Sequence, residues 1–218
     1  MRIIYLLFFI LTASPVGATP VNVAALGDSY VSGEGLLPEE GWPEQLIARV
    51  EGVEFSGNLA VSGAMANEVL QDQIPGLNAL RPDYLLLQVG VNDWMHSASS
   101  KTYRKRLRRL LDAMQDALVD KNNILLVTAP LFSCSPARSN WGYGKSAVNG
   151  IQRMNRILME EASLRHLAVV DIFDLSRQLC SGEDMFADDG LHPSARQYTE
   201  WTNLILPEFL KLLADDRR

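Results

Sequence analysis

The stretch VNVAALGDSY, residues 21–30, sets the architecture of this 218-residue chain. Its first six residues form a short apolar run that contains β-branched side chains, which is typical of a buried strand. Gly27, Asp28 and Ser29 follow at once, and these three residue types are common in turns. Because ligands of an open parallel sheet bind outside the carboxyl ends of its strands, the turn is a candidate functional segment as well as a structural one.

The same alternation of buried runs and amphipathic stretches continues along the chain. The predicted strands are Val21–Leu26, Val53–Leu59, Tyr84–Val89, Ile124–Thr128 and Ala168–Ile172. The predicted helices are Trp42–Val50, Ala66–Leu80 (interrupted at Pro75), Lys101–Asp120, Ser146–Leu164 and Ser194–Leu213 (bent or broken at Pro207), with long loops at Pro130–Lys145 and Phe173–Pro193. Strands that alternate with helices predict a parallel sheet covered on both faces. We therefore predict an α/β fold, a three-layer α/β/α sandwich around a five-stranded parallel sheet of the flavodoxin-like kind.

The first eighteen residues differ in composition from the rest. Arg2 is followed by the apolar run 3–11 and then by a segment that ends in small residues at Ala18. This order predicts a secretory signal peptide, 1–18, followed by a single domain, 19–218, that is exported to the periplasm or secreted. The alternative is an uncleaved anchor, but a membrane-spanning helix needs about 20 apolar residues. We expect no membrane span once the signal has been removed.

The charge of the chain is acidic, with 20 Lys and Arg against 26 Asp and Glu. Removing residues 1–18 takes away one arginine and no acid, so the net charge changes from −6 to −7. This sign argues against a nucleic-acid partner, and we expect a monomer that acts on a small molecule. The basic run 101–109 coincides with apolar residues at helical spacing, which predicts a solvent-facing helix surface; an anionic-ligand patch is the alternative.

The chain has two cysteines, Cys134 and Cys180. In an oxidising compartment they are candidates for a disulfide. The alternative is that one is a catalytic thiol, which requires a nearby histidine and an electropositive setting.

Polar clusters follow four of the predicted strand ends and would share one edge of the sheet. Together they contain the parts that ester hydrolysis requires, namely a nucleophile, a base, a group that orients the base, and donors for an oxyanion. Ser29 is the candidate nucleophile, with His192 as the base and Asp189 as its orienting acid. The backbone N–H groups of Ser29 and Gly63 and the side-chain amide of Asn92 are the candidate oxyanion donors.

This set of residues resembles the GDSL, or SGNH, serine hydrolases. Ser29 lies in the first motif, Gly63 in the second, Asn92 in Gly-x-Asn-Asp, and Asp189 and His192 in Asp-x-x-His-Pro. The match runs along nearly all of residues 19–218 and is most similar to the bacterial periplasmic thioesterase, lysophospholipase and arylesterase branch. The resemblance implies the five-stranded sandwich and an esterase that needs no cofactor.

Several details depart from the family pattern or leave alternatives open. Tyr30 stands where the first motif usually has leucine. Gly57 is a second candidate for the glycine donor, although the Asn58-to-Gly63 spacing favours Gly63. His96 is a weaker candidate for the base, while His166 is expected to cap a helix end.

Other functional classes remain as alternatives. A metal hydrolase would use Asp188, Asp189 and His192, but a single histidine offers few ligands, and we predict no metal site. A nucleotide-binding protein would use Gly27, Gly33 and Gly35, whose spacing is not the phosphate-binding pattern. A non-catalytic binding module on the same fold is the third alternative.

The sequence leaves the substrate open. Trp94, Met95, Leu131 and Phe132 follow the third and fourth strands and are predicted to line an acyl groove, which favours lipid esters, lysophospholipids or thioesters. Trp141 and Tyr143 are candidates for stacking on a sugar, which favours a carbohydrate O-acetyl ester. Acyl transfer to an alcohol instead of water also remains open.

Overall fold

The computed structural model describes residues 20–137, 144–182 and 184–215, and within them it contains one five-stranded sheet. The strands are β1 Val21–Gly27, β2 Val53–Asn58, β3 Tyr84–Gln88, β4 Ile124–Val127 and β5 Ala168–Val170. All four neighbouring pairs are parallel, and the order across the sheet is β2-β1-β3-β4-β5. The predicted fold class is confirmed.

Helices cover both faces of the sheet. They are α1 Ser29–Ser32, α2 Trp42–Ile47, α3 Ala66–Glu68, α4 Leu77–Leu80, α5 Val91–Met95, α6 Ser100–Ala117, α7 Gly144–Arg165, α8 Phe173–Leu179 and α9 Ala195–Asp215. Alternate residues of β1 point to opposite faces: Val23 and Ala25 join the core under α2 and α9, whereas Ala24 and Leu26 join the core under α6. This alternation gives the three layers of the sandwich.

The structure corrects the predictions for two segments, 66–80 and 173–193, and decides between the alternatives at Pro207. The single helix expected over 66–80 is divided into α3, a π-helical turn at Val69–Gln73, a 3₁₀ turn at Ile74–Gly76 and α4. Pro75 explains the second break, because it has no N–H to donate to the preceding turn. The predicted long loop 173–193 begins with α8, and α9 runs through Pro207 without ending there.

The basic run 101–109 lies on α6. Its apolar residues are buried against the sheet, whereas Arg104 and Arg108 pair with the buried carboxylate of Glu161 at 2.7 and 2.9 Å. Arg106 reaches Asp93, as described below. The prediction of an amphipathic helix is therefore confirmed.

A disulfide joins Cys134, in the segment after β4, to Cys180 at the end of α8. The two Cα atoms are 5.6 Å apart and the residues are separated by 46 positions in the sequence. The bond therefore ties α8 to the segment that carries Phe132.

We expect loss of this disulfide to destabilise the fold by about 4 kcal/mol, because the cross-link restricts the unfolded chain. The double variant Cys134→Ala/Cys180→Ala should show this loss in urea unfolding followed by circular dichroism. The reduced wild type is the matched control and should unfold at nearly the same urea concentration as the variant. Equal stability of the oxidised wild type and the double variant would contradict the prediction.

The proposed signal, 1–18, and the aromatic residues Trp141 and Tyr143 lie outside the described residues. Within the part of the chain that the structure describes, no helix is both long enough and apolar enough to cross a membrane.

Candidate active site

The candidate nucleophile lies where β1 passes directly into a helix. Gly27 has a φ of +151°, and a Cβ atom there would lie 2.3 Å from the carbonyl oxygen of Gln88, so the close approach of β1 to β3 requires glycine. Asp28 caps α1 by accepting a hydrogen bond from the N–H of Tyr30 at 3.1 Å. Ser29 is the first residue of this helix and is only 7% exposed. The turn thus presents a serine at the carboxyl edge of the sheet.

Asp189 and His192 form a pair in the segment that precedes α9. The Nδ1 atom of His192 lies 2.5 Å from Oδ2 of Asp189. The other oxygen, Oδ1, accepts hydrogen bonds from the backbone N–H groups of Leu191 and His192 at 2.8 and 2.9 Å. Partial burial acts to raise the pKa of Asp189, but these three hydrogen bonds outweigh it and hold the pKa below its ordinary value. The carboxylate therefore stays ionised beside the ring.

The candidate oxyanion donors are held together by hydrogen bonds. The Nδ2 atom of Asn92, in α5, donates to the carbonyl oxygen of Ala64 at 3.2 Å, which links Asn92 to the segment that contains Gly63. Gly63 has a φ of +81° and lies on the surface of the cavity described below. Within the described residues, neither the N–H of Ser29 nor that of Gly63 donates a hydrogen bond. Both are thus available to an incoming oxygen atom.

Gly57, the second candidate for the glycine donor, lies inside β2. A Cβ atom at this position would contact the side chain of Leu80 at 3.1 Å, so Gly57 serves packing against α4. Gly63 is therefore the glycine that the structure brings to the site.

Asp93, the residue after Asn92, links the segment that carries Asn92 to two neighbouring helices. It is fully buried, accepts a hydrogen bond from the N–H of Ala66 at 2.8 Å and forms an ion pair with Arg106 at 2.9 Å. Burial raises the pKa of Asp93, although the hydrogen bonds from Ala66 and Arg106 oppose the rise. Asp93 thus connects α5, next to Asn92, with the start of α3 and with α6.

These groups surround one cavity of about 210 Å³. Its lining residues are Ser29, Tyr30, Glu34, Ser62, Gly63, Val91, Asn92, Met95, Phe132, Leu191 and His192. The cavity combines an apolar wall with a polar mouth, where the hydroxyl of Ser62 donates to the carboxylate of Glu34. No hydrogen bond joins Ser29 Oγ to His192 among the described residues; such bonds often form only when a substrate binds.

Two of the four predicted acyl-groove residues, Met95 and Phe132, line the cavity. The other two do not. Leu131 is buried in the core, and Trp94 packs behind Phe132, with ring centroids 5.9 Å apart. The reason is α5, which was not predicted: at about 100° per residue, Val91, Asn92 and Met95 fall on one face of this helix, and Trp94 lies outside that face.

Five further lining residues were missed by the sequence analysis: Tyr30, Glu34, Ser62, Val91 and Leu191. Each lies within five residues of a predicted site residue along the sequence, so closeness in the sequence was the signal that could have found them. The two other histidines lie elsewhere. His96 is exposed at the end of α5, and His166 adopts a left-handed φ of 57° just after α7.

The metal-hydrolase alternative gains no support from the described residues. Over 20–137, 144–182 and 184–215, no three His, Cys, Asp or Glu side chains are grouped so as to hold a metal ion.

Asp28 is an unusual carboxyl group at this site because it is only 1% exposed. Burial raises its pKa to about 7, the hydrogen bond from the N–H of Tyr30 opposes the rise, and the nearby charge of Asp93 adds to it. The side-chain amide of Asn92 lies 3.4 Å from Oδ2 of Asp28, so this carboxyl group also borders the candidate oxyanion site.

We expect Asp28 to make the folded protein less stable as the pH rises from about 4 to about 7. Over this range the unfolded chain has already lost the proton that the folded protein retains, so folding requires proton uptake. The effect should amount to roughly 4 kcal/mol and then level off above pH 7. The free energy of unfolding should be measured against pH for the wild type and for Asp28→Asn, and the difference between the two curves should change over this range. A constant difference would contradict the assignment.

Comparisons with known proteins agree with this architecture. The sequence profile of the GDSL-like lipase/acylhydrolase family matches residues 25–199. No curated protein matches the chain by sequence.

Three solved structures illustrate the similarity of the fold. TesA is 21% identical with a TM-score of 0.68, and the match covers 88% of this chain and 99% of TesA. The psychrotrophic esterase EstA from Pseudoalteromonas sp. is 19% identical with a TM-score of 0.68, covering 88% and 98% of the two chains. The acetylxylan esterase Axe2 from Geobacillus stearothermophilus, as a catalytic mutant, is 16% identical with a TM-score of 0.67, covering 87% and 94%.

Proposed function

Because the chain belongs to the GDSL-like lipase/acylhydrolase family and is an ester-bond hydrolase, we propose that it acts through an acyl-Ser29 intermediate. The observation that supports this most is that one and the same cavity is lined by Ser29, Gly63, Asn92 and His192. The hydrogen bond between His192 and Asp189 leaves Nε2 of His192 as the ring nitrogen that is able to accept a proton.

In the first step His192 Nε2 takes the proton of Ser29 while Oγ forms a bond to the carbonyl carbon of the ester. The carbonyl oxygen becomes an anion that the N–H groups of Ser29 and Gly63 and the amide of Asn92 stabilise. The bond to the leaving alcohol then breaks, and His192 returns the proton to that alcohol. Water repeats the sequence on the acyl-serine, which releases the acid and restores Ser29.

The apolar wall of the cavity supports an acyl group as the part of the substrate that enters it. Val91, Met95, Phe132 and Leu191 supply this wall, and a pocket of apolar lining with a few polar groups is typical of small-molecule sites. We therefore propose carboxylic esters with an alkyl chain, including lysophospholipids and the corresponding thioesters, as the substrate class.

A series of p-nitrophenyl esters from acetate to octanoate tests the substrate class. A kcat/KM that rises with chain length supports the alkyl esters. Activity confined to acetate would overturn that proposal and favour an O-acetyl esterase.

A fluorophosphonate should modify the protein once, at Ser29, as peptide mapping by mass spectrometry would establish. Absence of labelling on folded protein, together with absence of ester turnover, would contradict the acyl-serine mechanism and favour a binding module.

We also propose that the protein is exported and loses residues 1–18. The disulfide between Cys134 and Cys180 supports an oxidising compartment. Expression in a bacterium with an intact secretion system, followed by mass spectrometry of the periplasmic fraction, should give a chain that begins at Thr19. Recovery of the full chain in the membrane fraction would favour an uncleaved anchor.

A further inference from the structure

The side chain of Tyr30 connects the candidate base to the core of the protein. Its ring centroid lies 5.5 Å from that of His192 at an interplanar angle of 57°. On the other side, it lies 6.3 Å from the ring of Trp201 in α9. Tyr30 is 3% exposed and directly follows Ser29, so one short helix carries both the nucleophile and the support of the base.

The position of Tyr30 is itself fixed. Trp201 is fully buried and packs edge to face on Tyr198, with centroids 5.1 Å apart. Both are on α9, which packs against α2 and against the sheet. Tyr30 therefore lies, on the side away from His192, against a buried aromatic cluster of α9.

His192 has fewer constraints of its own. It lies in the segment 184–194, which contains no helix or strand apart from an isolated bridge between Phe186 and Pro193. Asp189 fixes one edge of the imidazole through Nδ1, but a hydrogen bond at one edge does not prevent the ring from tilting. The His192 side chain is nevertheless only 13% exposed, and the ring of Tyr30 supplies part of this cover.

We propose that Tyr30 is a positioning residue for His192. The ring of Tyr30 supports the imidazole from the side that Asp189 leaves open. The inference rests on the proposed function, because it concerns proton transfer between Ser29 and His192. Such a transfer needs catalytic groups held to within about 0.5 Å and 10–20°. Leucine at position 30 would be too short to reach both the imidazole and Trp201, and the imidazole ring of His192 would then be free to tilt.

The test compares Tyr30→Leu with Tyr30→Phe. Phenylalanine keeps the ring and should retain kcat within about twofold, whereas leucine should lower kcat about tenfold and leave KM nearly unchanged. The rate of fluorophosphonate labelling should fall in parallel with kcat, because both reactions need the same proton transfer.

Phe209→Leu is the matched control for lost packing. It removes a fully buried aromatic ring from the same helix, α9, but that ring packs on Tyr84 and does not line the cavity. We expect thermal unfolding to be shifted in both leucine variants, while kcat and the labelling rate fall only in Tyr30→Leu. Should Tyr30→Leu not fold, Tyr30→Met takes its place, since methionine fills more of the volume with a flexible chain.

The outcomes separate this inference from the proposed function. If the wild type neither hydrolyses esters nor reacts with the fluorophosphonate, the proposed function fails. If the wild type reacts and Tyr30→Leu reacts equally fast, or if Phe209→Leu loses as much activity as Tyr30→Leu, the positioning role of Tyr30 is wrong. An equal loss in Tyr30→Phe and Tyr30→Leu would also overturn it, because the hydroxyl and not the ring would then be responsible.

Discussion

Replacement of Ser29 by alanine is expected to lower kcat for p-nitrophenyl esters by at least about 10⁴-fold. The reason is that alanine has no oxygen to form the acyl intermediate, so the remaining groups can only assist direct attack by water. Steady-state kinetics on the ester with the highest wild-type turnover would measure the loss. The fluorophosphonate adduct should also disappear.

Ser32→Ala is the control for this substitution because Ser32 lies in the same helix. Its hydroxyl donates only a long hydrogen bond, 3.4 Å, to the carbonyl oxygen of Ser29, so we expect near wild-type activity. Circular dichroism should find both variants folded. Turnover by Ser29→Ala within tenfold of the wild type would show that Ser29 is not the nucleophile.

The sheet was the most predictable part of the fold. β1, β3 and β4 are short apolar runs because both of their faces are covered, and such runs stand out in the sequence from the amphipathic helices around them. Once the strands are placed, the carboxyl-edge rule locates Ser29, Gly63, Asn92 and His192 near one another. The topology in this respect predicts which edge of the sheet carries the site.

The short helices could not be predicted by the same reasoning. α1, α5 and α8 have four, five and seven residues, too few for a helical period to be visible. For α8 a local signal did exist, because Asp171 accepts a hydrogen bond from the N–H of Phe173 and aspartate near a helix start is common. For α5 the consequence was that Trp94, which was predicted to line the groove, packs behind Phe132.

Contacts between distant loops were beyond prediction for a different reason. The contact between Glu34 and Ser62 at the mouth of the cavity depends on the path of residues 33–41, which follows tertiary packing and not local preference. The contact between Tyr30 and His192 also depends on tertiary packing. The sequence places Tyr30 beside Ser29, but its contact with His192 depends on how α9 is packed.

Replacement of Asp189 by asparagine is expected to lower kcat by about 10³- to 10⁴-fold while leaving the fold intact. Oδ1 of Asp189 accepts two backbone hydrogen bonds, from the N–H groups of Leu191 and His192. An asparagine must keep its oxygen at that position, since its NH₂ group has no lone pair to accept them. The NH₂ group is then forced to the position of Oδ2, facing Nδ1 of His192.

An NH₂ group at this position donates to Nδ1, which places the imidazole proton on Nε2. His192 in that tautomer cannot accept the proton of Ser29, so the loss should appear in kcat and in the rate of fluorophosphonate labelling. Asp188→Asn is the matched control, because the same chemical change is made at the neighbouring exposed residue, and it should retain full activity. Thermal unfolding of Asp189→Asn should stay close to that of the wild type, since both backbone hydrogen bonds survive. A kcat above one tenth of the wild-type value in folded Asp189→Asn would mean that Asp189 does not set the tautomer of the base.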